Sequence, residues 1–134
     1  MTKTTIKDGR VLLALVLRKD SFPKGLNFYS DDSQPLQVAT WRYEKGKVLK
    51  AHAHKKARRV NLYVQELVFV KSGKLRADIY NEKHKKMRSL LLKTGDILIT
   101  LAGGHGYKVL EEGTEVLEVK NGPYIGLEKD KLLI

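Results

Sequence analysis

Apolar residues along the chain form short groups, and turn residues separate the groups. The run Val11–Leu17 is apolar throughout, and apolar and polar positions alternate over Lys74–Tyr80. Within Glu115–Lys120, Val116, Leu117 and Val119 form a further short apolar group. Alternation with a period of two and short apolar runs bounded by turns are both typical of β-strands. The same criteria predict further strands at Leu36–Tyr43, Val48–His54, Leu62–Val70, Met87–Leu92, Asp96–Leu101 and Gly106–Leu110.

The turns between these segments recur at regular intervals. They read "EKG", "KSG", "NEKHK", "KTGD", "LAGG" and "EEGTE". This spacing is the one expected of a β-sandwich or barrel, and the chain contains no amphipathic helical window of useful length. We therefore predict an all-β fold in a single domain over residues 1–134, with an N-terminal arm over about residues 1–35.

Composition narrows the class of protein. The chain has 134 residues and no cysteine, which excludes disulfides and thiolate metal sites. The run Val11–Leu17 is too short to span a bilayer, and "RKDS" follows it in place of a small-residue cleavage site. These features favour a cytoplasmic protein that does not insert into membranes.

The net charge of +11 is compatible with nucleic acid or another anionic partner, and equally with a lysine-rich surface that keeps the protein soluble. Basic residues cluster at 45–59, "KGKVLKAHAHKKARR", and at 83–88, "KHKKMR". Neither cluster is interleaved with aromatic residues, as single-strand binding surfaces usually are. The pattern favours the solubility interpretation over nucleic-acid binding.

Two of the four histidines lie two positions apart in the predicted strand Val48–His54. His52 and His54 would share one face of that strand. A pair of imidazoles on one face can begin a metal site, although a cation normally needs three or four protein ligands. The alternative is a solvated pair within the basic surface.

Glu66 and His105 are the natural further ligands. Glu66 lies on the same face of a predicted strand as apolar residues, where a carboxylate is costly unless it is paired or metal-bound. The alternative for Glu66 is an edge position facing water or pairing with Arg58 or Lys56. His105 follows a glycine pair that lets the backbone approach another element closely, and Tyr107 shares its face.

These residues resemble the two sequence motifs of the cupin superfamily. In the first motif, over 46–73, Gly46, His52, His54, Glu66 and Gly73 match in order. The spacer of eleven residues before the glutamate is longer than the three or four that are usual in the family. In the second motif, over 95–109, Gly95-Asp96 and His105 match, although "LAGGH" replaces the usual proline-containing turn.

The resemblance implies a jelly-roll β-barrel that forms a homodimer and encloses one divalent transition metal, which could be iron, manganese, nickel or zinc. His52, His54, Glu66 and His105 match the ligand positions. Proteins of this type catalyse oxygenation, isomerisation, epimerisation or decarboxylation, and most of these reactions need an acid or base. Tyr107 is our candidate for that role, and Arg42 could hold an anionic group; the alternatives are a core tyrosine and a solvated arginine. Glu118 and Lys120 share a face near the end of the chain.

Three functions remain open at the level of sequence. The first is a metal-dependent cupin enzyme of oxygenase, isomerase or epimerase type, acting on a small anionic or carbohydrate-like metabolite in the barrel interior. The second is a non-catalytic cupin that binds or senses a small ligand. The third, which the sequence favours least, is a basic protein associated with nucleic acid.

Overall fold

The computed structural model describes residues 3–20 and 22–134 and confirms the all-β prediction. Its strands are β1 (Lys3–Asp8), β2 (Val11–Leu17), β3 (Gly25–Phe28), β4 (Ala39–Arg42), β5 (Glu66–Ser72), β6 (Lys74–Tyr80), β7 (Lys86–Lys93), β8 (Ile97–Thr100), β9 (Gly104–Val109) and β10 (Glu115–Lys120). One short helix, α1 (Leu127–Asp130), lies near the C-terminal end of the described residues. In those described residues no helix has the length and apolar character needed to cross a membrane.

The strands form three sheets in which neighbouring strands run antiparallel. The largest sheet has the order β1-β2-β8-β5-β10, the second has the order β7-β6-β9, and β3 and β4 form a two-stranded ribbon. Within residues 3–20 and 22–134 none of these sheets closes into a barrel. The strands β9 and β10 each end their sheet, so each has one edge that is unpaired within the same residues.

Apolar side chains from the five-stranded and three-stranded sheets pack together as the main core. Because side chains alternate between the two faces of a strand, β5 and β6 contribute every second residue to this layer. Its buried members are Ile6, Leu13, Ala14, Val16, Val68, Val70, Leu75, Ala77, Ile79, Leu92 and Leu98. This core holds β5 against β6 and β9, the strands that carry the site described below.

A second, smaller core covers the opposite face of the five-stranded sheet. Leu15 and Leu17 of β2 pack there with Val38, Ile99 and Leu101. The central strand β2 is therefore covered on both faces, which explains why its sequence is apolar throughout instead of alternating.

The structure adds strands to the region expected as an arm, corrects the predicted strand Val48–His54, and does not confirm the jelly-roll barrel. The arm expected over residues 1–35 contains the strands β1 and β3. Residues 44–64, here called the basic segment, are exposed and contain no strand or helix. The predicted strand Val48–His54 is therefore not formed. The jelly-roll barrel itself is not shown, since the sheets remain open between β9 and β10.

Candidate functional site: the cleft around Glu66

The site is built where the open ends of the two larger sheets meet. Glu66 is the first residue of β5 and pairs with Lys120 of β10 on one side and Thr100 of β8 on the other. His105 and Tyr107 lie two positions apart on β9, opposite the buried Ile79 and Ala77 of β6. Their side chains therefore face the core and reach across it to Glu66.

The buried carboxylate of Glu66 accepts contacts from three sides. The Tyr107 hydroxyl donates a hydrogen bond of 2.8 Å to Oε1. His105 Nε2 lies 3.4 Å from Oε2, and Lys120 Nζ lies 3.7 Å from the same oxygen. The Glu66 side chain is only 5 % exposed, so these partners supply the polar contacts that make its burial tolerable.

The partners keep Glu66 ionised. Burial is the strongest single influence on the pKa of Glu66 and raises it, but the interactions with His105, Tyr107 and Lys120 together outweigh burial and hold the pKa below its ordinary value of 4.5. Conversely, desolvation and the negative charge of Glu66 raise the pKa of Tyr107 well above the ordinary range. At neutral pH the pair is therefore a carboxylate and a protonated phenol.

Lys120 connects this carboxylate to a second one. Its ammonium group lies 2.8 Å from Glu118 Oε1. The hydrogen bond to Glu118 is the main reason that the pKa of Lys120 is raised, and the charges of Glu66 and Asp130 add to it. Lys120 thus remains a cation and a hydrogen-bond donor throughout the neutral range.

A cavity of about 620 Å³ opens onto this group. Its polar side carries Glu66, His105, Tyr107, Glu118 and Lys120, and other lining residues are Val64, Tyr80, His84, Gly103, Gly104, Gly106 and Asp130–Ile134. We call this cavity the cleft. A volume of this size accommodates a small metabolite.

The four expected metal ligands are not assembled in this structure. Glu66 and His105 are brought together, but His52 and His54 are exposed on the basic segment, where their rings lie 5.2 Å apart. His52 Nδ1 also lies 3.0 Å from the Lys50 carbonyl oxygen. No group of three or more histidine, aspartate or glutamate side chains within the described ranges is placed to hold a metal ion.

The Glu66–His105 pair nevertheless fits two adjacent positions of a metal site. Two ligands on one tetrahedral ion, each at about 2.1 Å, stand roughly 3.4 Å apart. The separation between Glu66 Oε2 and His105 Nε2 is 3.4 Å. The structure therefore accommodates half of the expected ligand set.

The two catalytic candidates are placed differently. Tyr107 lines the cleft and bonds Glu66 directly. Arg42 is exposed on the β3–β4 ribbon opposite Gly25 and is not among the residues that line the cleft. A role for Arg42 in holding substrate at this cleft is not supported by its position.

Sequence reasoning missed one wall of the cleft. Asp130–Ile134 line it, although no spacing in the chain connects them to β9. The glycine pair before His105 was the available signal, since it predicted the close approach of another element. The structure confirms that approach: a Cβ on Gly103 would collide with the Tyr80 carbonyl oxygen, and a Cβ on Gly104 would collide with the Ile134 side chain.

Comparisons with protein-family models, with curated proteins and with solved structures give no match for this chain. The cupin assignment therefore remains a proposal based on the sequence motifs.

Proposed function

We propose that this chain is a cupin-type enzyme of the isomerase or epimerase class, with the cleft around Glu66 as its active site. The observation that carries the proposal is the ionised, buried Glu66 carboxylate, which lines the cleft and is flanked by three hydrogen-bond donors. An ionised carboxylate in a cleft can accept a proton from a bound substrate, although the donors that lower its pKa also make it a weaker base. Donors beside it can stabilise negative charge that develops on a substrate oxygen.

The proposed reaction needs no additional reactant. Glu66 accepts the proton of a C–H bond next to a carbonyl group, and the electron pair of that bond moves onto the carbonyl oxygen to give an enediolate. His105 and Lys120 donate hydrogen bonds to that oxygen, while Tyr107 holds the carboxylate in place. The carbon that loses this proton carries a hydroxyl group. Return of the proton from Glu66 to the neighbouring carbon, with transfer of the hydroxyl proton to the former carbonyl oxygen, gives an isomer. Protonation of the original carbon by water on its opposite face, with Glu66 releasing its proton to the solvent, gives an epimer.

The charges of the cleft favour a carbohydrate-like substrate over an anionic one. Three carboxylates, of Glu66, Glu118 and Asp130, line the cleft together with the two ammonium groups of Lys120 and Lys131. An anion would therefore meet a lining with no surplus of positive charge. Hydroxyl groups, in contrast, can both donate to the carboxylates and accept from the lysines.

Solvent deuterium exchange tests this proposal even while the product is unidentified. The protein is incubated in D₂O with a panel of neutral aldoses and ketoses, and loss of the C–H signals next to the carbonyl carbon is followed by proton NMR. The variants are Glu66→Gln and, as a matched control, Glu115→Gln. Glu115 is an exposed carboxylate of β10 that pairs with Lys71 and does not line the cleft.

We expect the wild-type protein and Glu115→Gln to catalyse exchange at equal rates, and Glu66→Gln to lose at least a hundredfold of the rate, a typical contribution of a general base. Exchange that persists in Glu66→Gln would show that Glu66 is not the base. Absence of exchange across the panel with the wild-type protein would count against an isomerase.

We also propose that the chain binds one divalent transition metal and that the sheets close into the jelly-roll barrel when it does. The 3.4 Å separation of Glu66 and His105 supports the first part. The unpaired edge of β9 supports the second, because the segment Val48–His54 has the residue pattern of a strand that could pair with it. Since His52 and His54 do not join the other ligands here, no step of the mechanism above passes through the metal.

Amide hydrogen exchange with and without Mn²⁺ or Zn²⁺ distinguishes metal binding that closes the sheets from metal binding that leaves them open. Closure predicts that the amides of 48–54 and 104–109 become protected when the metal is added, and that His54→Ala abolishes this protection. Metal binding without protection would contradict the closure. Failure of the wild-type protein to bind any of the four candidate metals would contradict both parts.

A homodimer is proposed from the exposed apolar residues of the β3–β4 ribbon. Leu26, Phe28 and Trp41 are all more than half exposed, and exposed apolar groups of this kind often mark interfaces. Light scattering is expected to give twice the monomer mass for the wild-type protein and a monomer for Trp41→Ser. A monomeric wild-type protein would contradict this proposal.

A further inference from the structure

We infer that the segment Lys131–Ile134, here called the flap, forms an apolar subsite of the cleft, which takes an aliphatic substituent of the bound molecule. The inference rests on the proposed function in that it concerns the same cleft. The position of the flap can nevertheless be tested without a substrate, so the two proposals can fail separately.

The flap contacts β9 at Gly104, the residue that precedes His105. The Ile134 side chain occupies space that a Cβ at position 104 would need, so Gly104 leaves room for it. The other end of the flap is fixed by α1, because the amide of Lys131 donates a 3.0 Å hydrogen bond to the Leu127 carbonyl oxygen. The flap thus begins at α1, ends beside Gly104 and lies along the wall of the cleft.

The flap presents apolar side chains to a cavity whose other side is charged. Leu132, Leu133 and Ile134 are 73 %, 92 % and 59 % exposed, and Val64 beside them is 50 % exposed. Apolar surface left in water is unfavourable, and a ligand that covers it recovers this free energy in proportion to the area buried. The cleft therefore has a polar side around Glu66 and an apolar side that a ligand can cover.

This division defines the chemical class of the ligand. One end carries hydroxyl or carbonyl groups that bond Glu66, His105 and Lys120. The other end carries an aliphatic substituent that packs on the flap. Molecules that are hydroxylated over their whole surface would leave the flap uncovered and bind more weakly.

Chemical labelling of His105 tests where the flap lies. Diethyl pyrocarbonate modifies accessible imidazoles, and mass spectrometry of peptides reports the rate at each histidine. Gly104→Ala should displace Ile134, whereas Gly106→Ala is a matched control, because a Cβ at position 106 meets no atom within 4 Å. Ile134→Ser removes the same contact from the side of the flap.

We expect the labelling rate of His105, relative to His54 in the same molecule, to rise severalfold in Gly104→Ala and in Ile134→Ser. Gly106→Ala should label at the wild-type rate. Equal rates in all four proteins would overturn the placement of the flap over the site.

Protection by n-alkyl glucosides tests the apolar subsite. Methyl, butyl and hexyl glucoside share one hydroxylated head and differ only in aliphatic length. A fully buried methylene strengthens binding about fourfold, so hexyl glucoside should protect His105 at up to about 15-fold lower concentration than butyl glucoside. In Ile134→Ser this dependence on chain length should largely disappear.

Protection that is independent of chain length in the wild-type protein would overturn the subsite. If chain-length dependence is found but sugars show no deuterium exchange, the subsite stands and the proposed isomerase fails. If exchange is found without chain-length dependence, the isomerase stands and the subsite fails.

Discussion

Gln65 is the residue whose replacement tests the packing of the site most sharply. Its side chain is almost fully buried beside Glu66 but points to the opposite face of β5. The amide oxygen accepts a 3.0 Å hydrogen bond from the Leu36 amide, and Nε2 donates a 3.2 Å bond to the Leu101 carbonyl oxygen and a further bond to Gln34. This one side chain thus connects β5 to the loop before β4 and to the end of β8.

The effect of Gln65→Leu follows from these contacts. Leucine fills a similar volume, so no large cavity forms, but the Leu101 carbonyl and the Leu36 amide lose their partner. An unsatisfied buried group costs about 1–3 kcal/mol; we take about 2 for the buried carbonyl and about 1 for the partly buried amide. The additional apolar burial returns about 1 kcal/mol, which leaves a net loss of about 2 kcal/mol in the free energy of unfolding.

Urea denaturation followed by circular dichroism measures this loss. With a slope of about 2 kcal/mol/M, the midpoint should fall by about 1 M. Gln37→Leu is the matched control: Gln37 also donates hydrogen bonds to two backbone carbonyls, but it is exposed, so water replaces those bonds and the loss should stay below about 1 kcal/mol. If the urea midpoint of Gln65→Leu lies within 0.25 M of the wild-type midpoint, the loss of stability is below about 0.5 kcal/mol at that slope. That result would contradict the stabilising role of these buried hydrogen bonds.

Three further predictions concern the core, a turn and the buried carboxylate of Asp78. Leu98→Ala removes a fully buried side chain from the main core and should lower the free energy of unfolding by about 3–5 kcal/mol in the same assay, whereas a loss below about 1.5 kcal/mol would show that the core relaxes around the cavity. Gly73→Ala should destabilise by more than Gly113→Ala, because both have positive φ but only at position 73 would a Cβ collide with the facing turn; equal melting temperatures would contradict this. The hydrogen bond from Ser89 is the main reason that the pKa of Asp78 is lowered in the folded protein. The ionised Asp78 carboxylate therefore stabilises the fold at a pH above the pKa it has in the unfolded chain, and this stabilisation is lost as the pH falls through the pKa it has in the folded protein. The difference in stability between the wild-type protein and Asp78→Asn should therefore shrink from about pH 5 downwards, and a difference that is constant to about pH 2 would contradict the assignment.

Strands with a strong local pattern could be predicted from the sequence. The bounds of β2, β6 and β10 agree with the apolar run, the alternating segment and the short apolar group that predicted them. The strand β1 was missed because Ile6 is its one buried residue. Its signal was Gly9, which has a positive φ and forms the two-residue turn of the β1–β2 hairpin together with Arg10.

The predicted strand at Val48–His54 shows the limit of pattern reasoning. Alternation indicates that a segment can be a strand, but a strand also needs a partner edge, which local sequence does not specify. Glu66 lies on β5, which contributes side chains to the main core, whereas His105 and Tyr107 lie on β9, which pairs with β6 of the same core. The three side chains therefore meet. His52 and His54 lie on a segment that this core does not hold, so their place could not be deduced from spacing.

The proposed function depends on an ionised Glu66 carboxylate. Carbon-13 NMR of the labelled glutamate carboxyl groups measures the charge state of Glu66 most directly. We expect Glu66 to titrate below its ordinary pKa of 4.5, and expect Tyr107→Phe to raise the midpoint because the variant loses the 2.8 Å hydrogen bond. That result would establish an ionised carboxylate in the cleft at neutral pH. A midpoint at or above neutral pH would mean that burial outweighs the three donors, and a protonated Glu66 would contradict its role as the base.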